Sequence, residues 1–291
     1  MCGIAGFQGT FPPDLLARMS RAVAHRGPDG DGAVILPTPH SPLSTGLAHR
    51  RLAIIDLSAE GRQPMTVRCT RCGAHSLDQL ALTYNGELYN YRELRAELES
   101  NGHTFHSHTD SEVLLHLYAD LGPTMLDRLD GIFAFAIHDG RERGRPPGME
   151  RGDLLLARDP LGVKPLYFTA ARQGVLFASE LKALLQCDDL PRTLDPVALH
   201  YHLAYLWTPA PRTLLAGIEK LEPGCAIVVR QGKIARRWAY YELPYDGDRL
   251  PGSPNDIAAE LRDRLAAAVE RQLVADVPVG AFLSGGLDSS A

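Results

Sequence analysis

Cysteine is scarce in this 291-residue chain: there are five, Cys2, Cys69, Cys72, Cys187 and Cys225. So small and odd a set makes no disulfide framework, and it reads as the reduced thiols of a cytosolic protein. Positive charge is not in excess either. Thirty Lys and Arg against 35 Asp and Glu leave a net charge of −5 with the basic residues scattered, which argues against nucleic acid as a partner. No run approaches the about 18 apolar residues of a membrane helix, and the start has neither the basic nor the apolar region of a secretory signal. The expectation is a soluble, cytoplasmic protein with no membrane partner. What is present is ordinary for a globular chain: 45% hydrophobic and 22% charged residues, enough for one large domain or two smaller ones.

Periodicity predicts a strand from Gly3 to Phe7 and a helix from Asp14 to Ala24, with Leu15, Met19 and Val23 on one stripe. The segments 46–57 and 80–90 read as strands running into turns, the second turn marked by Asn85-Gly86. Asn90 with Glu93 has the spacing of a capping box opening one helix, and a second helix is expected from Asp110. In "GIFAFAIHD" (131–139) the apolar residues do not alternate, so that strand should be buried on both faces. Further strands are expected at 153–158, 165–169 and 174–178, helices near 180–186 and 195–205, and a hairpin from Cys225 to Tyr240 turning at Gln231-Gly232. Strands flanked by helices suggest stacked sheets between helical layers. A proline- and glycine-rich stretch at 243–256 reads as a linker, after which Ile257, Leu261, Leu265 and Val269 mark an amphipathic helix. "VPVGAFL" (277–283) reads as a buried strand whose neighbours in a parallel sheet are missing, so it is expected to be poorly ordered or sticky here.

Cys2 follows the initiator Met1, and removal of that methionine would leave an α-amine beside a thiol on one residue. The amine, of reference pKa about 7.7 to 8.0, could then take the proton of a thiol of reference pKa about 8.5. Attack on an acyl carbon builds an oxyanion, for which the Asn85 amide and the Gly86 N–H are candidate donors. Taken alone, Cys2 reads as a small apolar side chain and Asn85-Gly86 as an ordinary turn. Glu87 and Asp110 could hold a substrate ammonium while Arg51 forks onto its carboxylate, the outline of a pocket for a free amino acid.

The motifs "MCGIAGF", "AHRGPDGDG" (24–32), "LAHRRLAIIDL", "QPM" (63–65), "YNGELYN", "HTDSEVLLHLY" (108–118), "LDGIFAFAIHD", "ARDPLGVKPLYF" (157–168), "FASELKAL" (177–184) and "FLSGGLDSS" occur together and in order. The sequence therefore resembles glutamine-hydrolysing asparagine synthetase of the bacterial B type, a class II glutamine amidotransferase, essentially from Cys2 to the last residue. The resemblance implies an α+β fold, the four-layer αββα sandwich of N-terminal-nucleophile hydrolases, followed by the first elements of a truncated α/β ATP-pyrophosphatase domain. It implies a glutaminase domain over 2–243, a linker over 244–255 and a synthetase portion over 256–291. It makes Cys2 the nucleophile, Asn85 and Gly86 the oxyanion hole, and Arg51, Leu52, Ala53, Ile54, Ile55, Glu87 and Asp110, with Asn85 and Gly86, the glutamine-binding set. It also implies ATP and Mg2+ as cofactors and glutamine, aspartate and ATP as substrates. Ammonia would pass through a dry tunnel to an aspartyl adenylate.

No Walker A pattern is present, but a Ser-Gly-Gly turn followed by serines could present N–H groups and hydroxyls to an anion. The resemblance names Leu283, Ser284, Gly285, Gly286, Leu287, Asp288, Ser289 and Ser290 as a pyrophosphate loop. Because the motif breaks off at Ala291, the chain is expected to be at most a glutaminase on its own. "VRCTRCGAH" (67–75) looks like an insertion whose C-x2-C and His75 supply too few ligands for structural zinc; a solvent-exposed loop and no metal site are expected. His25, within a Gly-Pro-Asp-Gly turn, is expected to be structural. A related enzyme with another acceptor, an inactive glutamine-binding or interaction module should Met1 be retained, and a homodimer all stay open.

Overall fold

A computed structural model of the chain describes residues 1–38, 41–66, 71–72, 80–245, 247 and 251–290. Two six-stranded antiparallel sheets carry the fold. The first contains β1 (Gly3–Gly9), β2 (Gly30–Pro37), β3 (Ser44–Arg51), β8 (Tyr167–Ala171), β9 (Gly174–Ala178) and β10 (Glu219–Lys220), in the order β10-β8-β9-β1-β3-β2. The second contains β4 (Met65–Thr66), β5 (Leu80–Leu88), β6 (Gly131–Asp139), β7 (Asp153–Arg158), β11 (Cys225–Arg230) and β12 (Lys233–Ala239), in the order β12-β11-β7-β6-β5-β4.

The sheets stack through a core that includes Ile4, Leu47, Ala134, Ala136, Leu156 and Phe177. Helices α1 (Pro13–Ala22) and α4 (Leu181–Leu184) cover the outer face of the first sheet, packing Leu15, Leu16, Met19 and Leu184 on Phe7 and Leu176. Helices α2 (Tyr91–Ser100) and α3 (Asp110–Leu121) cover the second, packing Leu94, Val113 and Leu117 around Phe133, Phe135 and Ile137. The chain is thus the αββα sandwich, and the unbroken apolar run of β6 has its reason: its large residues meet helices while its alanines meet the other sheet. Polar contacts also cross between the sheets: Thr83 Oγ1 donates to the Ala48 carbonyl at 3.0 Å, and His49 Nε2 lies 3.1 Å from the Tyr84 carbonyl. Burial lowers the His49 pKa to about 4, so the ring is neutral and its Nε2–H donates.

Several local expectations change. Asn85-Gly86 is no turn: Asn85 pairs with Ala134 and Gly86 with Phe133 in the middle of the β5–β6 ladder. Glycine stands there because a Cβ would lie 2.4 Å from the Ile132 carbonyl oxygen and 2.7 Å from the Tyr84 ring. Asn90 makes no capping bond to α2; its amide instead bridges the Arg128 carbonyl and the Asp130 N–H, tying the helix start to the entrance of β6. The glycines of 30–32 belong to the edge strand β2 rather than to a turn. The hairpin at Gln231-Gly232 forms as expected, both residues at positive φ.

Beyond α5 (Pro196–Tyr205) and the β11–β12 hairpin, α6 (Pro254–Arg271) opens with a complete capping box between Ser253 and Asp256. Its apolar stripe meets solvent, with Leu261, Leu265 and Val269 all more than half exposed. "VPVGAFL" forms no strand, and Val279, Phe282 and Leu283 are exposed. A strand buried on both faces needs neighbours for its N–H and C=O groups, and none is at hand among the described residues.

Candidate active site

The register of β1 on β3 pairs Gly3 with Arg50 and Ile4 with His49, which delivers Cys2 to the point where Arg51 and Leu52 leave the sheet. The Cys2 sulfur accepts from the Leu52 N–H at 3.4 Å and faces the Leu52 carbonyl at 3.5 Å, while Arg26 Nε donates to the Cys2 carbonyl at 2.9 Å. Burial raises the Cys2 thiol pKa, offset in part by the Leu52 hydrogen bond, the terminal ammonium and Lys164. Burial lowers the pKa of the terminal amine, here that of Met1.

Cys2 opens onto a cavity of about 70 Å3 between the two sheets at the N-terminal end of α3. β5 supplies Tyr84, Asn85, Gly86 and Glu87, the end of β3 supplies Arg51, the loop after it Leu52, Ile54 and Ile55, and α3 supplies Asp110. All the residues expected around the sulfur converge there except Ala53, whose N–H is bonded to Asp29 Oδ2 at 2.9 Å outside the cavity. Asn85 is 1% exposed, and neither its amide nitrogen nor its oxygen has a hydrogen-bond partner among the described residues. Burying an unpaired amide costs roughly 1–3 kcal/mol, so its presence at the cavity wall calls for a ligand.

Arg51 is held from behind. Its Nη1 donates to the Ser58 carbonyl at 2.7 Å and its Nη2 to the Asp56 carbonyl; a Cβ on Gly61 would displace that guanidinium. Asp56, which burial alone would push up, is held below the usual carboxylate range by Ser58 and by the His108 N–H. The two carbonyls hold the guanidinium in place at the cavity wall. Asp110 opens α3 behind the N-cap Thr109 and accepts from Tyr84 OH at 2.8 Å and from the Leu88 N–H at 3.0 Å. Burial still raises it to about 6, with Glu87 adding repulsion. Glu87 is raised by its own burial, against the pull of Lys164.

Lys164 is the wall residue that sequence reasoning passed over. Asp159 positions it: one carboxylate accepts from the N–H groups of Phe133, Leu161, Val163 and Lys164, folding 159–164 against β6 so that the lysine turns into the cavity. The signal was the "RDP" to "K" spacing, legible as an Asx-type turn. Gln63, whose Oε1 accepts from the Tyr84 N–H at 2.7 Å, is another wall residue missed, although "QPM" was a recognised motif; His49, Gly61, Tyr84, Thr109 and Ser111 complete the wall.

Two features lie elsewhere. His25 is outside the cavity, 2.9 Å from Glu180 on the surface. Residues Leu283 to Leu287 are exposed; Ser284 and Ser289 bond each other at 2.8 Å, and a Cβ on Gly285 would meet nothing within 4 Å. With neither a strand before it nor a second wall, this loop does not fit a nucleotide by itself. The side chain of Asp288, residues 69 and 75, and Ala291 lie outside the described residues.

The sandwich is shared with enzymes of known structure. The phosphoribosylpyrophosphate amidotransferase of Bacillus subtilis, solved with ADP and GMP, matches 83% of this chain and 49% of its own with a TM-score of 0.58 at 19% identity. An allosteric regulatory enzyme of purine biosynthesis matches equally widely at 0.59. Residues 1–241 match the glutamine amidotransferase domain family and residues 260–291 match asparagine synthase, and the chain belongs to the glutamine amidotransferase family. Among curated relatives, glutamine-hydrolysing asparagine synthetases 3 and 1 of Bacillus subtilis are 37% and 34% identical over the whole chain, and a putative one of Methanocaldococcus jannaschii is 35% identical. The chain spans 44%, 43% and 56% of those three proteins.

Proposed function

We propose that the chain is the glutaminase part of a glutamine-dependent asparagine synthetase, with the domain over 2–243, the linker over 244–255 and the start of the synthetase part over 256–291. With Met1 removed, the Cys2 amine takes the thiol proton and the sulfur attacks the side-chain amide carbon of glutamine. The resulting oxyanion is met by the Asn85 amide and the Gly86 N–H. Collapse expels ammonia, protonated by the amine, and a water then hydrolyses the thioester to glutamate and restores the thiol. The substrate α-carboxylate sits on Arg51 and its ammonium between Glu87 and Asp110. The observation that carries this reading is the Asn85 amide, buried without a partner in the same cavity as the Cys2 sulfur.

The ammonia acceptor is proposed to be an aspartyl adenylate formed from aspartate and ATP with Mg2+ in the synthetase part; the match of 260–291 to asparagine synthase supports it. Asp276 docks the chain after α6 against the cavity loop, its N–H donating to the Ile54 carbonyl at 2.9 Å and its carboxylate accepting from the Asp56 N–H at 2.7 Å. That contact gives the two parts a shared edge beside the glutamine pocket.

Glutamate release from glutamine by the purified chain, with the N-terminal mass measured on the same sample, tests the glutaminase reading. Turnover should follow the fraction of molecules that start at Cys2. Full turnover by molecules that keep Met1 would overturn the chemistry.

Asp110 supplies a pH test. Its folded pKa of about 6 lies above the ordinary aspartate value of 3.8, so the folded state holds the extra proton between those values. Its contribution to stability is present below pH 3.8 and is lost as pH rises through 6. The ionised group then costs on the order of 3 kcal/mol, from 1.36 kcal/mol per pKa unit. Asp110→Asn should therefore raise the melting temperature of the free protein at pH 7.5 relative to the parent and lose that advantage at pH 4, while KM for glutamine rises about 10- to 100-fold. A melting temperature difference independent of pH would contradict the assignment.

A further inference from the structure

Cys72, expected on an exposed loop without a metal, is instead 3% exposed and faces two buried histidines. His103 follows α2 and His116 lies on α3, so three separate parts of the chain meet at one point. The Cys72 sulfur is 3.4 Å from His103 Nδ1 and 3.1 Å from His116 Nδ1, and the two ring nitrogens are 3.1 Å apart. Zinc bonds of about 2.3 Å to sulfur and about 2.0–2.1 Å to nitrogen, set tetrahedrally, place such ligand atoms roughly 3.3–3.6 Å apart. The observed triangle is within a few tenths of an ångström of that.

The far sides of both rings point the same way chemically. His103 Nε2 lies 2.9 Å from Asp120 Oδ2, and His116 Nε2 lies 3.5 Å from Glu112 Oε1. Arg71 Nε also approaches His103 Nε2, at 3.2 Å, and Asp120 at 3.9 Å; the carboxylate is the nearer of the two to the ring. Each ring thus turns its Nδ1 toward the sulfur and has a carboxylate near its far nitrogen. Two imidazole nitrogens and one thiol converging on a single buried point are a donor set suited to a divalent cation.

We infer that Cys72, His103 and His116 form a structural site for Zn2+ or a similar divalent cation, with Asp120 and Glu112 orienting the rings. Binding displaces the thiol proton to solvent and leaves a thiolate on the metal. The fourth position is not assigned: Cys69, which shares the C-x2-C spacing, lies outside the described residues, and the inference rests on the three ligands named. The metal would staple the segment after β4 to α3, whose first residue is Asp110, two turns before His116. The site is independent of the glutaminase reading, which uses another thiol and another cavity.

The test is metal analysis of the tag-free full chain purified without added metal, followed by titration with zinc alone and with cobalt(II) as a spectroscopic probe. About one equivalent should bind, and cobalt should give a thiolate charge-transfer band. Cys72→Ser should remove the band and weaken zinc binding at least 10- to 100-fold. Asp120→Asn leaves all three ligands in place and should weaken binding about 10-fold with an unchanged circular dichroism spectrum, which keeps the test decisive should Cys72→Ser fold poorly. Cys2→Ala should bind metal as the parent does. Well under half an equivalent in the parent, a band that survives Cys72→Ser, or a band lost with Cys2→Ala would overturn the inference.

Discussion

Cys2→Ala should abolish glutamate release, by at least about 10⁴-fold in kcat, with the fold and melting temperature close to those of the parent. Loss of the nucleophile leaves only binding and the oxyanion donors, and single removals of such groups from other hydrolases cost about 10⁴ to 10⁶. No substitute thiol is in reach among the described residues: Cys72, Cys187 and Cys225 are buried and none lines the cavity. The structural cost is small because Cys2 precedes β1, and its carbonyl, which anchors Arg26, is retained. Cys2→Ser separates nucleophilicity from shape. A hydroxyl fits the same space but ionises far less readily, so kcat should stay depressed while glutamine still binds. Glutamate release within tenfold of the parent by Cys2→Ala would remove Cys2 from the mechanism.

Much of this was legible before any coordinates, and the reason is periodicity. β6 announced its double burial because an unbroken apolar run in a strand needs cover on both faces, and α1 showed its stripe; α3 did not, being buried on every side from Asp110 to Tyr118. Two-residue signals were weaker guides. Asn85-Gly86 carries the composition of a hairpin turn, yet the ladder to β6 runs straight through it; the glycine answers a close backbone approach that only the paired strand reveals. Asn90 and Glu93 have capping-box spacing, but the Asn90 amide finds Arg128 and Asp130, far along the chain, more useful. Local rules lose wherever a long-range partner competes for the same polar group.

The site divides along the same line. Residues that sit in contiguous motifs, Arg51 with Leu52 and Asn85 to Glu87, were readable, because adjacent positions on a strand end stay adjacent in space. Lys164 and Gln63 were not, since each reaches the cavity through a loop whose shape is set by distant bonds, Asp159 to Phe133 in one case and Tyr84 in the other. The Cys72 cluster is the extreme case. A C-x2-C pair alone falls short of four ligands, and nothing in the spacing of His103 and His116, 13 residues apart, declares that α2 and α3 pack so as to bring both rings to the sulfur.

The second large effect concerns Asn85. Asn85→Ala should lower kcat by about 10² to 10³, some 2.7–4 kcal/mol of transition-state stabilisation, and change KM for glutamine no more than a few-fold. An oxyanion donor acts on charge that appears only after attack, whereas a ground-state binding residue would move KM first. The amide is buried and makes no hydrogen bond to the described residues of the free protein, so no such bond has to break when the oxyanion forms. That readiness is held against a standing cost of roughly 1–3 kcal/mol. Alanine removes the unpaired polar group but leaves a small void, two terms of opposite sign and similar size, so the variant should melt within a few degrees of the parent. Asn85→Asp should be slower still, because a carboxylate facing the tetrahedral intermediate repels the charge that the amide accommodates. A kcat that survives both substitutions would mean that the Gly86 N–H and another wall group carry the oxyanion, and that the orphaned amide serves a different ligand.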